Sequence, residues 1–178
     1  MREIDANKLQ QMIIGAYELL NENKGLVNEL NVFPVPDGDT GTNMTMTMKS
    51  GVDKVLSQDK KSADEILKAL SQGSLMGARG NSGVILSQLV RGLAKASKGK
   101  SSLKTSDIKE GFELANQTAY KAVMKPTEGT ILTVSQKMTD KAIEIYDEDI
   151  KLDKYLYEII AEGQIALDNT PNQLPVLK

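Results

Sequence analysis

The stretch that decides the fold is Ile108-Lys-Glu-Gly-Phe112-Glu-Leu-Ala115-Asn-Gln-Thr-Ala119-Tyr-Lys-Ala-Val123. Ile108, Phe112, Ala115, Ala119 and Val123 recur at steps of three and four, the period of a helix that buries one face. The same spacing returns on both sides of this stretch. Leu9, Met12, Ile13, Ala16 and Leu20 form one stripe, Ile131, Val134, Met138, Ala142 and Ile145 another, and Leu152, Leu156, Ile159, Gly163 and Leu167 a third. Each covers about a third of a helical circumference, as a helix packed on a core requires. Strand alternation is hard to find, so the expected fold is all-α, a barrel or bundle of seven or eight helices in a single domain spanning residues 1–178.

Punctuation agrees with that reading. Lys24-Gly25 and Lys98-Gly99 have the form of helix C-termini. Ser62-Ala-Asp-Glu65 reads as a capping box, in which hydroxyl and carboxylate each satisfy a free backbone N–H. Asp107 is a candidate cap for the helix that carries Phe112. With 4% aromatic residues, the core must be built from Leu, Ile, Val, Ala and Met.

Composition excludes much chemistry. The 178 residues contain no Cys and no His. That removes thiol nucleophiles, disulfides, histidine bases, Ser-His-Asp triads and nearly every zinc site. Lys and Arg number 22 against 24 Asp and Glu, a net charge of −2, which offers no basic footprint for nucleic acid. The N-terminus lacks the apolar core of a signal peptide, and no run reaches the 18 apolar residues of a membrane span. A soluble cytoplasmic protein is expected. What remains is oxygen chemistry: carboxylates, hydroxyls, backbone amides and a hard cation.

Three segments interrupt the helical rhythm. In Asn31-Val-Phe-Pro-Val-Pro-Asp37-Gly-Asp39-Thr40-Gly-Thr-Asn43, two prolines stiffen the approach to two carboxylates separated by one glycine. If the loop curls, Asp37 and Asp39 can share a cation, and magnesium suits one or two carboxylates plus substrate phosphates. The alternative is a solvated turn, for which Pro-Asp-Gly is ordinary chemistry. A calcium EF-hand fits worse, because the sixth and twelfth positions from Asp37 are Thr42 and Met48. From Thr40 the chain is expected to enter a helix whose free N–H groups attract anions. Met44, Met48, Val52 and Val55 on one side of it read as core filler.

The second segment, Gly77-Ala-Arg79-Gly80-Asn81-Ser82-Gly83, precedes the helical run Val84-Ile-Leu86. Glycines admit a ligand close to the backbone, and the Ser82 hydroxyl and nearby amides can bind phosphate. A tight helix–helix connection explains the glycines equally well, and the Walker A ending is missing. Arg79 would neutralise phosphate or anchor a surface carboxylate. In the third segment, Lys125-Pro-Thr-Glu128-Gly129-Thr130, Thr130 is a candidate helix cap or phosphate contact, and Ile131 an apolar platform for a planar base. Glu128 is expected to be exposed.

Asn31 through Met44, with Gly80-Asn-Ser82-Gly83 and Pro126 through Leu132, resembles the nucleotide-binding domain of the dihydroxyacetone kinase superfamily, most closely the ATP-binding subunit of bacterial fatty acid kinase. The resemblance covers essentially the whole chain. It implies a helical barrel holding ATP at one end, with phosphates on two magnesium ions. Of the three metal-binding Asp residues in the dihydroxyacetone branch, two match Asp37 and Asp39. The first stands here as Asn31, one residue further away, whose amide oxygen can still coordinate. Thr40 takes the place of a His. The resemblance implies nucleotide contacts from Thr40, Asn43, Met44, Gly80, Asn81, Ser82, Gly83, Thr130 and Ile131.

Where that family continues into a Gly-rich segment over the adenine, this chain stops at Lys178, as an N-terminal fragment of a longer protein would. In the fatty acid branch the phosphoryl acceptor is a carboxylate presented by a separate fatty-acid-binding protein, and such an acceptor needs no general base. The other functions the sequence allows are a kinase for a small polyol and a non-catalytic nucleotide-binding adaptor, for which a homodimer is one expected form.

Overall fold

A computed structural model describes residues 1–57, 59 and 61–178. It contains seven α-helices: α1 (Ala6–Glu29), α2 (Thr40–Leu56), α3 (Ala63–Met76), α4 (Gly80–Ala96), α5 (Thr105–Ala122), α6 (Ile131–Glu144) and α7 (Leu152–Gln173). A 3-10 turn at Pro175–Leu177 follows, and two-residue strands β1 (Glu3–Ile4) and β2 (Leu103–Lys104) pair antiparallel. The all-α expectation holds, and all four apolar stripes fall on helices.

Helix boundaries follow local chemistry with two exceptions. Asp5 caps α1 by accepting the Lys8 N–H at 2.8 Å. Ser62 accepts from Glu65 N–H at 3.1 Å, and the Glu65 carboxylate accepts from Lys61 N–H at 2.8 Å. This is the expected capping box, displaced by one residue at its second bond. Lys24-Gly25, however, does not end α1, which continues to Glu29. Glycine costs a helix interior about 1 kcal/mol, and the further turn is held by contacts with α2 described below. Asp107 lies inside α5 rather than ahead of it, and reaches back to accept Lys104 N–H at 2.8 Å. Lys100 Nζ sits 3.0 Å from its other oxygen.

Pro171 lies within α7 and cannot donate to the Leu167 carbonyl. The Thr170 hydroxyl donates to that carbonyl instead, at 2.7 Å. The helix therefore continues to Gln173 without an orphaned acceptor.

Helix direction decides where the loops go. Gly41 of α2 lies against the Lys24 backbone and Gly38 against Asn28, so α1 and α2 are antiparallel. Ser50 touches Gly77 and Gly51 touches Leu70, so α2 and α3 are antiparallel too. Gly80 lies against Asn43 and Gly83 against Thr47, so α2 and α4 run parallel with adjacent N-termini. Gly92 packs on Ala115 so closely that a Cβ there would stand 2.2 Å from the Ala115 Cα. Gly111 meets Leu93, which makes α4 and α5 antiparallel. The Thr139 hydroxyl donates to Phe112 O and the Ser135 hydroxyl to Asn116, reversing direction again into α6. Gly163 against Met138, and Gly129 against Leu174, reverse it once more into α7.

The starts of α2, α4 and α6 therefore lie at one end of the bundle, with the C-termini of α1, α3, α5 and α7. The three interrupting segments are the three connections at that end. Polar contacts tie the opposite end together: Leu152 N–H donates to Met1 O, Ala63 N–H to Ser101 O, and Gly99 N–H to the Asp64 carboxylate.

The core between the helices is aliphatic, as the composition requires, with Ile66, Val55, Leu152 and Ile159 fully buried. Met48, Val52 and Val55 are buried, and Met44 is half-buried above them. Tyr155 is the largest fully buried side chain, and its hydroxyl donates to Ala142 O at 2.6 Å.

Candidate functional site

The first connection, residues 30–39, is pinned on itself. Asn31 fastens it twice: its Nδ2 donates to Val35 O at 3.0 Å, and its Oδ1 accepts Asp39 N–H at 3.2 Å. Gly38 has φ +68, a left-handed conformation that reverses the chain between the two acids and that a side chain would oppose. The Phe33–Pro34 peptide is cis. Asp37 and Asp39 are both exposed. Among the described residues neither carboxylate takes part in an ion pair or accepts a hydrogen bond.

Asp39 occupies the N-cap position of α2, yet its side chain makes no capping bond. An Asp there ordinarily accepts an N–H of the first turn. Asn28, on the last turn of α1, has taken that donor. Its Oδ1 accepts Thr42 N–H at 3.0 Å and its Nδ2 donates to Thr42 Oγ1 at 3.0 Å. The Asp39 carboxylate is thereby left free for another ligand. Sequence reasoning passed over Asn28 because Lys24-Gly25 read as the end of α1.

The second connection is shorter than expected. Gly80 through Gly83 form the first turn of α4 rather than a loop ahead of it. The reason is the neighbouring helix: a Cβ on Gly80 would stand 2.5 Å from Asn43 Nδ2, and one on Gly83 2.3 Å from Thr47 Oγ1. Glycine at these two places lets α4 begin directly against α2. Thr47, fully buried, locks the junction. Its hydroxyl donates to Asn43 O at 2.7 Å and accepts Arg79 N–H at 3.1 Å. Arg79, the N-cap residue, has no side-chain capping bond. The N–H groups of Gly80, Asn81 and Ser82 have no acceptor among the described residues. These orphan donors at the positive end of a helix dipole form an anion-receptive surface. Asn81 is exposed and Ser82 half-buried.

The structure thus joins the first two segments by direct contact, Asn43 to Gly80 and Thr47 to Gly83. The third lies at the same end but is tied to α5 and α7 instead. Thr130 caps α6, accepting Leu132 N–H at 3.3 Å while its hydroxyl donates to Thr127 O at 2.8 Å. The capping alternative for Thr130 is therefore realised. Gly129, at φ +79, packs on Leu174 and the Thr170 carbonyl. Glu128 is exposed as expected, and accepts the Thr133 hydroxyl at 2.8 Å. Ile131 is half-buried. The Tyr120 hydroxyl donates to Leu132 O at 3.3 Å. Burial pushes its pKa up, with the Glu128 and Asp140 carboxylates adding to the effect, so the donor keeps its proton.

The donor set bears on magnesium. Among the described residues no group of three or more acidic side chains could enclose a metal. Two exposed carboxylates suit magnesium, which keeps waters and takes its remaining oxygens from a substrate. Asn31 keeps one lone pair on Oδ1 beyond the bond it accepts. Asp37 and Asp39 are thus of the donor type the ion takes.

The sequence model of the DAK2 domain matches residues 34–178. The chain belongs to the DAK2 domain family. Its match begins at Pro34, just ahead of the two acids, and takes in the second half of the first connection and the whole of the other two. This DAK2 domain is 47% identical, over 176 residues, to an uncharacterized protein of Staphylococcus saprophyticus, covering 99% of this chain and 32% of that one. The same identity and coverage relate it to an uncharacterized protein of Staphylococcus aureus strain USA300. The DAK2 domain spans about a third of the length of these curated relatives. No helix among the described residues is long and apolar enough to cross a membrane.

Proposed function

We propose that this DAK2 domain binds ATP with magnesium at the end of the bundle where α2, α4 and α6 begin, and serves as the nucleotide-binding part of a kinase. One observation carries the reading. An acidic loop whose carboxylates are left without protein partners leads into α2, whose first turn packs, through Asn43 on Gly80, against an uncapped helix start. Asp37 and Asp39 would hold magnesium, up to two ions, with the Asn31 amide oxygen as a further ligand; the metal supplies charge that offsets the developing negative charge on the transferred phosphoryl group.

The remaining work falls to this chain's own groups. The amides of Gly80, Asn81 and Ser82 and the Ser82 hydroxyl hold phosphate oxygens, with Gly83 keeping α4 close to α2. Thr40, Asn43 and Met44 line the approach from α2. Thr130 stands at the phosphate side and Ile131 receives the base of the nucleotide. Phosphoryl transfer of this kind rests on positioning and charge neutralisation, and a chain without His or Cys can supply both.

The acceptor we infer is a fatty acid carboxylate presented by a separate fatty-acid-binding protein in the cytoplasm. A carboxylate oxygen attacks the γ-phosphorus, the bond to the β-phosphate oxygen breaks, and ADP leaves with the electron pair. The acceptor brings no proton, so no base is required. A small-polyol hydroxyl would have to lose one.

Calorimetry tests the site. Wild-type protein should bind ATP only with magnesium, and Asp37→Ala and Asp39→Ala should each lose measurable binding while keeping the helical circular dichroism spectrum. Wild-type affinity in both variants would refute the metal assignment. Transfer of labelled γ-phosphate to an acyl-loaded fatty-acid-binding protein tests the acceptor. Binding without transfer to any carboxylate or polyol would leave a nucleotide-sensing adaptor, and the kinase reading would fall.

A further inference from the structure

A second candidate site lies along α4 and the C-terminal part of α5. An open groove of about 320 Å³ runs between the two helices, lined by Gln88, Arg91 and Lys95 from α4 and by Gln117, Thr118 and Lys121 from α5. Three of these six are cations and none is acidic. α4 carries no Asp or Glu over its whole length, Gly80 to Ala96. Among the described residues Arg91, Lys95 and Lys121 form no ion pair, although the protein as a whole carries a net charge of −2.

The chemistry of the lining is selective. Arg91 and Lys95 stand one turn apart on one wall, and Lys121 faces them from the other. Like charges gathered without counter-charge repel, and a bound anion relieves that repulsion. Thr118 is 8% exposed, and its hydroxyl makes no hydrogen bond among the described residues. That hydroxyl opens on the groove, where a bound oxygen can accept from it. Gln88 and Gln117 add amide donors. The volume is at the lower end of small-molecule sites, which begin at about 300 Å³.

We infer that this groove binds a small molecule carrying two linked phosphate groups, one oxygen cluster set by the Arg91 fork and Lys95, the other by Lys121 and the Thr118 hydroxyl. Its α4 wall is set back from the nucleotide end, while on the α5 side Lys121 is the last residue but one of the helix. Gln88 lies eight residues beyond Gly80 along α4, about 12 Å at the helical rise. The inference does not depend on the proposed kinase activity.

Amide chemical-shift titration with inorganic pyrophosphate at constant ionic strength tests it. Saturable shifts are expected in Gln88–Lys95 and Gln117–Ala122, with affinity weakened by about tenfold or more in Arg91→Gln/Lys121→Gln, as loss of charge-assisted bonds requires. Thr118→Val should weaken binding less, and the response should survive in Asp37→Asn/Asp39→Asn. Shifts that never saturate would overturn the site. So would shifts confined to residues 39–43 and 80–83, although that outcome would leave the phosphate reading of the nucleotide end intact. Equal affinity for orthophosphate would overturn the two-phosphate assignment, and tighter binding of a decaglutamate peptide would make the groove a docking place for acidic protein instead.

Discussion

Asn28, the penultimate residue of α1, and Thr42, in the first turn of α2, are joined by two hydrogen bonds of 3.0 Å each, amide oxygen to backbone N–H and amide nitrogen to hydroxyl. A side chain from one helix thereby caps the next, and the acid at the cap position itself, Asp39, is released from that duty.

Replacing Asn28 by Ala should therefore do two things. Loss of a cap costs about 1–2 kcal/mol, which urea denaturation would read as a lower midpoint with unchanged slope. The Asp39 carboxylate is also expected to turn inward and accept the vacated Thr42 N–H, weakening magnesium-dependent ATP binding. An Asn28→Ala protein that lost stability but bound ATP as before would show that Asp39 is free for some other reason.

Gly129 is constrained by both conformation and space. Its φ is +79, and a Cβ would stand 2.6 Å from Leu174 Cβ. Gly129→Ala should destabilise the protein by about 2 kcal/mol or more, because left-handed backbone and a clash add. Hydrogen exchange should show the loss concentrated at the third connection and the last turn of α7. A uniform effect over the bundle would contradict the contact.

Tyr155 gives stability a dependence on alkaline pH. Burial pushes its pKa from an ordinary 10.0 up to about 12, with Glu113 and Tyr146 adding. The folded state holds this proton more tightly than the unfolded state, so the contribution is fully present below pH 10 and fades as the pH rises towards 12. Tyr155→Phe loses the bond to Ala142 O, about 1 kcal/mol, and with it this titration. Urea midpoints of the two proteins should converge above pH 10. A constant separation across that range would show that burial does not hold the proton.

Much of this architecture was legible in the residues. The stripe from Ile108 to Val123 placed α5, and the stripes at Ile131 and Leu152 placed α6 and α7, because a 3.6-residue period is written directly in the order of side chains. Ser62 and Thr130 announced their helix starts through hydroxyls bonding backbone a few residues away. What was not legible depended on contacts distant in sequence. Gly25 reads locally as a stop, and only the packing of Gly41 on Lys24 and the clasp from Asn28 keep α1 going. Gly80 and Gly83 read equally as a ligand-binding loop or a tight helix–helix connection, and only the packing shows that they are small so that α4 can begin against Asn43 and Thr47. The acids at Asp37 and Asp39 were visible, but the arrangement that leaves them without protein partners was not, since it rests on Asn28 and Asn31. The groove between α4 and α5 gave no local signal: Arg91, Lys95 and Lys121 meet only when two antiparallel helices are laid side by side.

The two asparagines at the end of α1 also decide what kind of change the acidic loop tolerates. Asn28 is a peg on the rigid rod of α1 and Asn31 a knot two residues past its end, and the acids hang on a cord of fixed length strung from them to the start of α2. Exchanging one side chain in the cord alters chemistry at one point. Adding or removing a single residue between Asn31 and Asp39 instead shifts the acids out of register with the Asn31 bonds to Val35 and Asp39, with every functional group still in place. Surface loops ordinarily absorb such insertions and deletions, but here spacing is as much a part of the machinery as the aspartates themselves.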